Sequence, residues 1–142
     1  LDLHVFLTVA KNHENDSFKM ENNMKYDQNN IFAKIIRGEI PANKVYEDDS
    51  VVAFHDVQPA APTHILVIPK GEYISFDDFI HKASKQEIAE FFLVVRTIAR
   101  DFGVKESGYR LITNHGADAE QSVPHFHVHL LGGKKLGPLL SE

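Results

Sequence analysis

Apolar positions recur at two periods along the 142 residues, and the switches between them mark the elements. In NIFAKIIRGEIP (residues 30–41), Ile31, Phe32, Ile35 and Ile36 share one helical face. Asn30 suits the N-cap, Gly38 suits the position after the last turn, and Pro41 forbids continuation, so a short helix is expected. KVYEDD and VVAFHDV are β-rich and separated by little more than Asp48-Asp49-Ser50, which predicts a hairpin. QPAAPT carries Pro59 and Pro62 and reads as a turn. HILVIPK is nearly continuously apolar, the mark of a central strand buried on both faces. Residues 71–83 are ambiguous, a loop with room for a helical turn. From Ser84 to about Phe102 the period returns to that of a helix: Ile88, Phe91, Phe92, Val95, Ile98, Ala99 and Phe102 align, Ser84 and Glu87 form a capping box, and Gly103 stops the run. GYRLITNHG and HFHVHLLGG complete a set of about five strands and one main helix. Strands in neighbouring hairpins, not βαβ units, indicate an α+β meander with the helix on one face.

Residues 1–29 break from this pattern. The first eight alternate and could add a strand, but the stretch after Thr8 is polar and rich in Asn. Met20 and Met24 each offer an alternative start. The expected division is therefore an N-terminal extension over 1–29, outside the functional domain, and one domain over 30–142.

Composition narrows the function. A formal charge of −5 argues against nonspecific nucleic-acid binding. It does not argue against a single nucleotide. With no cysteine, disulfides, thiolate zinc sites and thiol nucleophiles are excluded, and a cytoplasmic location fits. No apolar run approaches the roughly 18 residues of a membrane span, and LDLHVFLTVAKNH lacks the features of a signal peptide.

The chemistry is concentrated in QSVPHFHVHLLGG (residues 121–133). On a strand, alternate side chains share a face at roughly 6.6 Å spacing. His125, His127 and His129 then point one way, and Phe126, Val128 and Leu130 anchor the strand in the core. Three uses compete. Three ligands in a straight row span roughly 13 Å, too far for one ion with metal–nitrogen bonds of about 2 Å. Two of them could still ligate with His64 or Asp56. The row could also be plain surface. The third use is phosphorus chemistry: neutral imidazole is a nucleophile at pH 7, a neighbour can steady phosphate charge, and another can move a proton. Flanked on both sides, His127 is the favoured attacker, with Ser122 as a hydroxyl donor.

HFHVHLL fits the H-φ-H-φ-H-φ-φ signature of the histidine triad (HIT) superfamily of nucleotide hydrolases and transferases. NIFAKIIRGEIPA, VYEDDSVVAFHDVQPAAPTHILVIPK, GYRLITNHG and QSVPHFHVHLLGGKKLGP all resemble its Hint branch, in order, from about Asn30 to Leu140. The resemblance implies a five-stranded antiparallel sheet with one long and one short N-terminal helix, dimerising into a ten-stranded sheet. It implies hydrolysis of adenosine 5′-phosphoramidates through a nucleotidyl-histidine, with no metal or cofactor. His127 would attack. His129 and Ser122 would contact phosphate oxygens. His125 and His64 would orient His127 and relay a proton. Asp56 would bind ribose, and Ile31, Phe32, Ile35, Phe54, His55 and Leu66 would line the base slot, with Asn114 near the phosphate. A purine nucleoside monophosphate or phosphoramidate is the implied ligand and a second copy of the chain the implied partner, with no nucleic acid and no membrane. The alternatives are a nucleotide-binding interaction protein with weak hydrolysis and a dinucleoside polyphosphate hydrolase. Pro124, where the family often has an aromatic, and a short tail without tryptophan leave leaving-group preference open.

Overall fold

The computed structural model describes residues 25–140. The alternating start of the chain, Met20 and Met24 lie outside them. In chain order the elements are α1 (Ile31–Ile36), β1 (Lys44–Glu47), β2 (Val51–His55), β3 (Thr63–Pro69), α2 (Phe76–Lys82), α3 (Lys85–Asp101), β4 (Tyr109–Ile112) and β5 (Val128–Gly132).

The caps explain the helix boundaries. Asn30 accepts from the Ala33 amide at 2.9 Å to start α1, and Gly38 takes the left-handed φ of +78° that ends it. Ser84 accepts from the Glu87 amide at 3.0 Å and starts α3. The capping box is only half formed, because the Glu87 carboxylate accepts from the Tyr73 hydroxyl at 3.1 Å instead. The ambiguous residues 71–83 contain α2, capped by Ser75, with two acidic residues, Asp77 and Asp78, in its first turn.

The five strands form one antiparallel sheet in the order β1-β2-β3-β5-β4. β3 is central, as its apolar run predicts, and β1–β2 is the expected hairpin. The sheet is not a meander. β5 inserts between β3 and β4, pairing Ile65 with Leu130 on one side and Leu111 with Leu130 on the other. Composition does not reveal this, because a strand buried by two neighbours and one buried by a helix are equally apolar.

One face of the sheet carries α3: Phe91, Val95, Ile98 and Ala99 pack with Phe79, Val51, Ala53, Ile65, Val67, Phe126, Val128 and Leu130. Phe126 stacks on Phe79 with ring centroids 4.7 Å apart. On the other face α1 supplies Phe32 and Ile35 to Val52, Phe54, Leu66, Ile68 and Val123. That second, thinner layer holds the histidines. No helix among the described residues is long and apolar enough to cross a membrane.

Candidate active site

The histidine row is not one uniform strand. The ladder begins at Val128, so His129 lies on β5, whereas His125 and His127 sit in the irregular approach to it. Pro124 lies in that approach too, not at the first position of the strand, and so leaves no ladder bond unmade. Alternation still holds in direction, since Phe126, Val128 and Leu130 enter the α3 core. It misleads about depth. His125 is fully buried and His127 is 4% exposed, so the rings are not a surface row.

Burial without charge demands partners, and backbone carbonyls supply them. A carbonyl can only accept, so each contact fixes a tautomer. His127 Nδ1–H donates to the His125 carbonyl at 2.7 Å, which leaves the Nε2 lone pair free. His125 Nε2–H donates to the Pro69 carbonyl at 2.7 Å, and its Nδ1 accepts from the Tyr26 hydroxyl. A second chain runs through His64. Its Nδ1 accepts from the Ala60 amide at 3.0 Å, so the proton is on Nε2, which donates to His129 Nδ1 at 2.9 Å. His129 therefore carries its own proton on Nε2. The His127 and His129 rings meet edge-on with centroids 5.2 Å apart.

Electrostatics agree with neutral rings. Burial lowers the pKa of all four. For His125 it falls to about 4. For His129 repulsion from His127 and His64 adds to burial and takes it well below the ordinary value. For His64, nearby Asp56 partly offsets burial. Mutual repulsion is thus the smaller cause. Burial also raises the Tyr26 phenol, so its hydroxyl stays a donor.

His127 and His129 open on a cleft also lined by Ile31, Phe32, Ile35, Phe54, His55, Asp56, Leu66 and Ser122, with Ile40, Pro41, Ala42, Val57 and Val123. Most of the residues expected at a nucleotide site therefore share one cavity. Three stand apart from its lining. His125 is behind it, reaching His127 through its carbonyl and not its ring. His64 contacts His129 and lies 3.4 Å from Asp56, so its contact runs to His129 where orientation of His127 was expected. Asn114 is half-buried in the segment after β4 and does not line the cleft. Asp56 combines two roles: Oδ1 accepts from the Gln58 amide at 2.8 Å, a turn cap, while Oδ2 faces His64.

Asp56, His64 and His129 also place three potential metal-ligating atoms within 4.8 Å of one another. This is a different set from the triad row, and two of its members already share a hydrogen bond.

Three contributors were invisible in the sequence. Thr113 donates its hydroxyl to the His127 carbonyl at 2.8 Å. Gln121, 2% exposed, donates to the Ile74 and Val123 carbonyls and accepts from the Gly116 amide. Tyr26 lies in the segment assigned to the extension, yet it touches His125. The partners of Thr113 and Gln121 are backbone atoms, which leave no residue-type signature.

Comparison with known proteins bears on the family. A purine nucleoside phosphoramidase of Escherichia coli is 46% identical over 112 residues, 79% of this chain and 93% of that protein. A 13.2 kDa HIT-like protein of Azospirillum brasilense is 53% identical over 117 residues, 82% and 96% of the two chains. A histidine triad protein from Clostridium difficile superposes with a TM-score of 0.72 at 43% identity, covering 82% of this chain and all of the other. The HIT domain itself matches residues 37–136, a span that takes in the cleft's Asp56, the paired His64 and the whole histidine row, and the chain belongs to that family.

Proposed function

We propose that the protein is a hydrolase of purine nucleoside 5′-phosphoramidates, cleaving the P–N bond through a nucleotidyl-histidine. One observation carries this reading. The unprotonated Nε2 of His127 and the Nε2–H of His129 belong to adjacent rings lining one cleft, a nucleophile beside an acid. The relative named purine nucleoside phosphoramidase supports the choice of substrate.

Binding an anionic phosphoryl group offsets the burial penalty on imidazolium, and His129 Nδ1 takes up one proton as His64 Nε2–H turns to Asp56 Oδ2, 3.4 Å away. His127 Nε2 attacks phosphorus, the P–N bond to the amine breaks, and the amine leaves with the proton of His129 Nε2. The resulting nucleotidyl-imidazolium keeps its Nδ1–H on the His125 carbonyl, which steadies its charge. Water then attacks phosphorus, its proton passes to His129, and the bond to His127 breaks, restoring the lone pair. Ser122 donates to a phosphoryl oxygen. Asp56 accepts from ribose hydroxyls, and Ile31, Phe32, Ile35, Phe54, His55 and Leu66 hold the base. Asn114 bonds near the phosphate from the segment after β4.

The protein acts as a homodimer. β4 is an edge strand with Tyr109 and Leu111 exposed, and Leu93 and Phe102 are exposed on and just after α3. Pairing β4 edge to edge gives a ten-stranded sheet and covers these side chains.

His127→Ala is expected to abolish turnover of an adenosine phosphoramidate while AMP still binds. EDTA is expected to leave wild-type turnover unchanged. Full activity in the variant refutes the covalent route, and a metal-rescued loss in EDTA assigns the work to Asp56, His64 and His129 as ligands.

A further inference from the structure

We propose that Tyr26 is a positioning residue for the nucleophile, acting through His125; the proposal rests on the reading of His127 as the attacking group. The observation is a chain of bonds with no spare member. His125 is fully buried, so its ring nitrogens have no water to fall back on. The Pro69 carbonyl takes the Nε2 proton, which leaves Nδ1 a bare acceptor, and the Tyr26 hydroxyl donates to it. The same residue's carbonyl holds His127 Nδ1–H. The orientation of the attacking ring is therefore set by the backbone of a residue whose side chain is clamped at both ends, one end by Tyr26.

Tyr26 is itself held in place. Asp27 begins a turn in which Asn29 and Asn30 amides and the Asn30 side chain bond back to it. On the far side Gln28 donates to Glu72 at 2.5 Å. The Tyr26 ring packs edge-on against His125 with centroids 5.5 Å apart. This segment precedes residues 37–136, the span matched by the family domain. The boundary drawn at Asn30 from composition thus leaves out a residue that completes the site.

Tyr26→Phe removes the hydroxyl and keeps the ring contact, so the test separates bonding from packing. The variant and wild type are compared in two readouts: steady-state kinetics on an adenosine phosphoramidate, and imidazole ¹⁵N spectra of His125 and His127 at pH 7. The kcat is expected to fall about tenfold, the lower range for loss of a supporting hydrogen bond behind a reacting group, with KM changed less than about twofold because the cleft lining is untouched. The His125 Nδ1 signal is expected to move as its donor is lost, and the His127 signals to move with it. An unchanged kcat, or His127 signals that stay in place, overturns the proposal. If wild type turns over no phosphoramidate, the proposed activity fails, and the His127 signals still decide the positioning role.

Discussion

Lowering the pH from 7 to 5 should weaken the folded state through the buried histidines, and His125 gives the scale. Its native pKa is about 4 because burial disfavours imidazolium, against about 6.5 in an unfolded chain. Between those values the unfolded chain binds a proton that the native chain does not, so stability falls as pH falls. Integrating the two titrations gives a loss of about 2 kcal/mol at pH 5 and about 3 kcal/mol at pH 4 from this one group. His64, His127 and His129 are shifted in the same direction by burial and add to it. Carboxylates do not confuse the window. Those held low by their partners, Glu39, Glu47 and Asp48, lose their contribution only as pH drops through and below the ordinary carboxylate range. Against a total of about 5–15 kcal/mol for a domain, the change is large enough to measure by urea unfolding followed by circular dichroism at pH 7, 6 and 5. A free energy that is flat or rises toward pH 5 refutes the neutral-histidine interior, and with it the assignment of a free lone pair to His127 Nε2.

Thr113→Val keeps the side-chain shape and removes the donor to the His127 carbonyl; unfolding free energy should fall by about 1 kcal/mol and kcat should fall with it, whereas an unchanged kcat shows that the Thr113 contact does not set the ring. Leu111→Lys places a charge on the exposed edge of β4 and should shift the mass measured by sedimentation from dimer toward monomer; a wild-type monomer removes the proposed ten-stranded sheet.

Direction was legible in the histidine segment and depth was not. Phe126, Val128 and Leu130 alternate with the histidines and do enter the core against α3. Yet the sequence cannot show that α1 closes over the other face, and that closure is what buries His125 and His127. The cleft residues Phe54, Asp56 and Leu66 were found through likeness to a family, since their local patterns are those of ordinary strands and turns. Likeness to the family places His64 in the site, but its partner depends on β3 lying beside β5, which brings its Nε2 within 2.9 Å of His129 Nδ1. The meander expectation failed for a related reason. Strand order depends on which edges remain open after the first hairpins form, and hydropathy does not record that. The half-formed capping box at Ser84 shows the same limit locally, because Tyr73 competes for Glu87 from outside the helix.

The interior place of β5 ties working competence to complete folding. Its neighbours are strands reached from residues 63–69 on one side and 109–112 on the other. Such pairings are non-local in the chain, and closing their loops costs entropy. Opening either pairing would displace His129 or the carbonyl that Thr113 holds, so the candidate site depends on both pairings of β5. Under the proposed activity, turnover therefore doubles as a sensor of the β3–β5 and β4–β5 pairings: in a population stressed by heat or denaturant, residual rate should track the fraction of intact molecules rather than a graded loosening of each one.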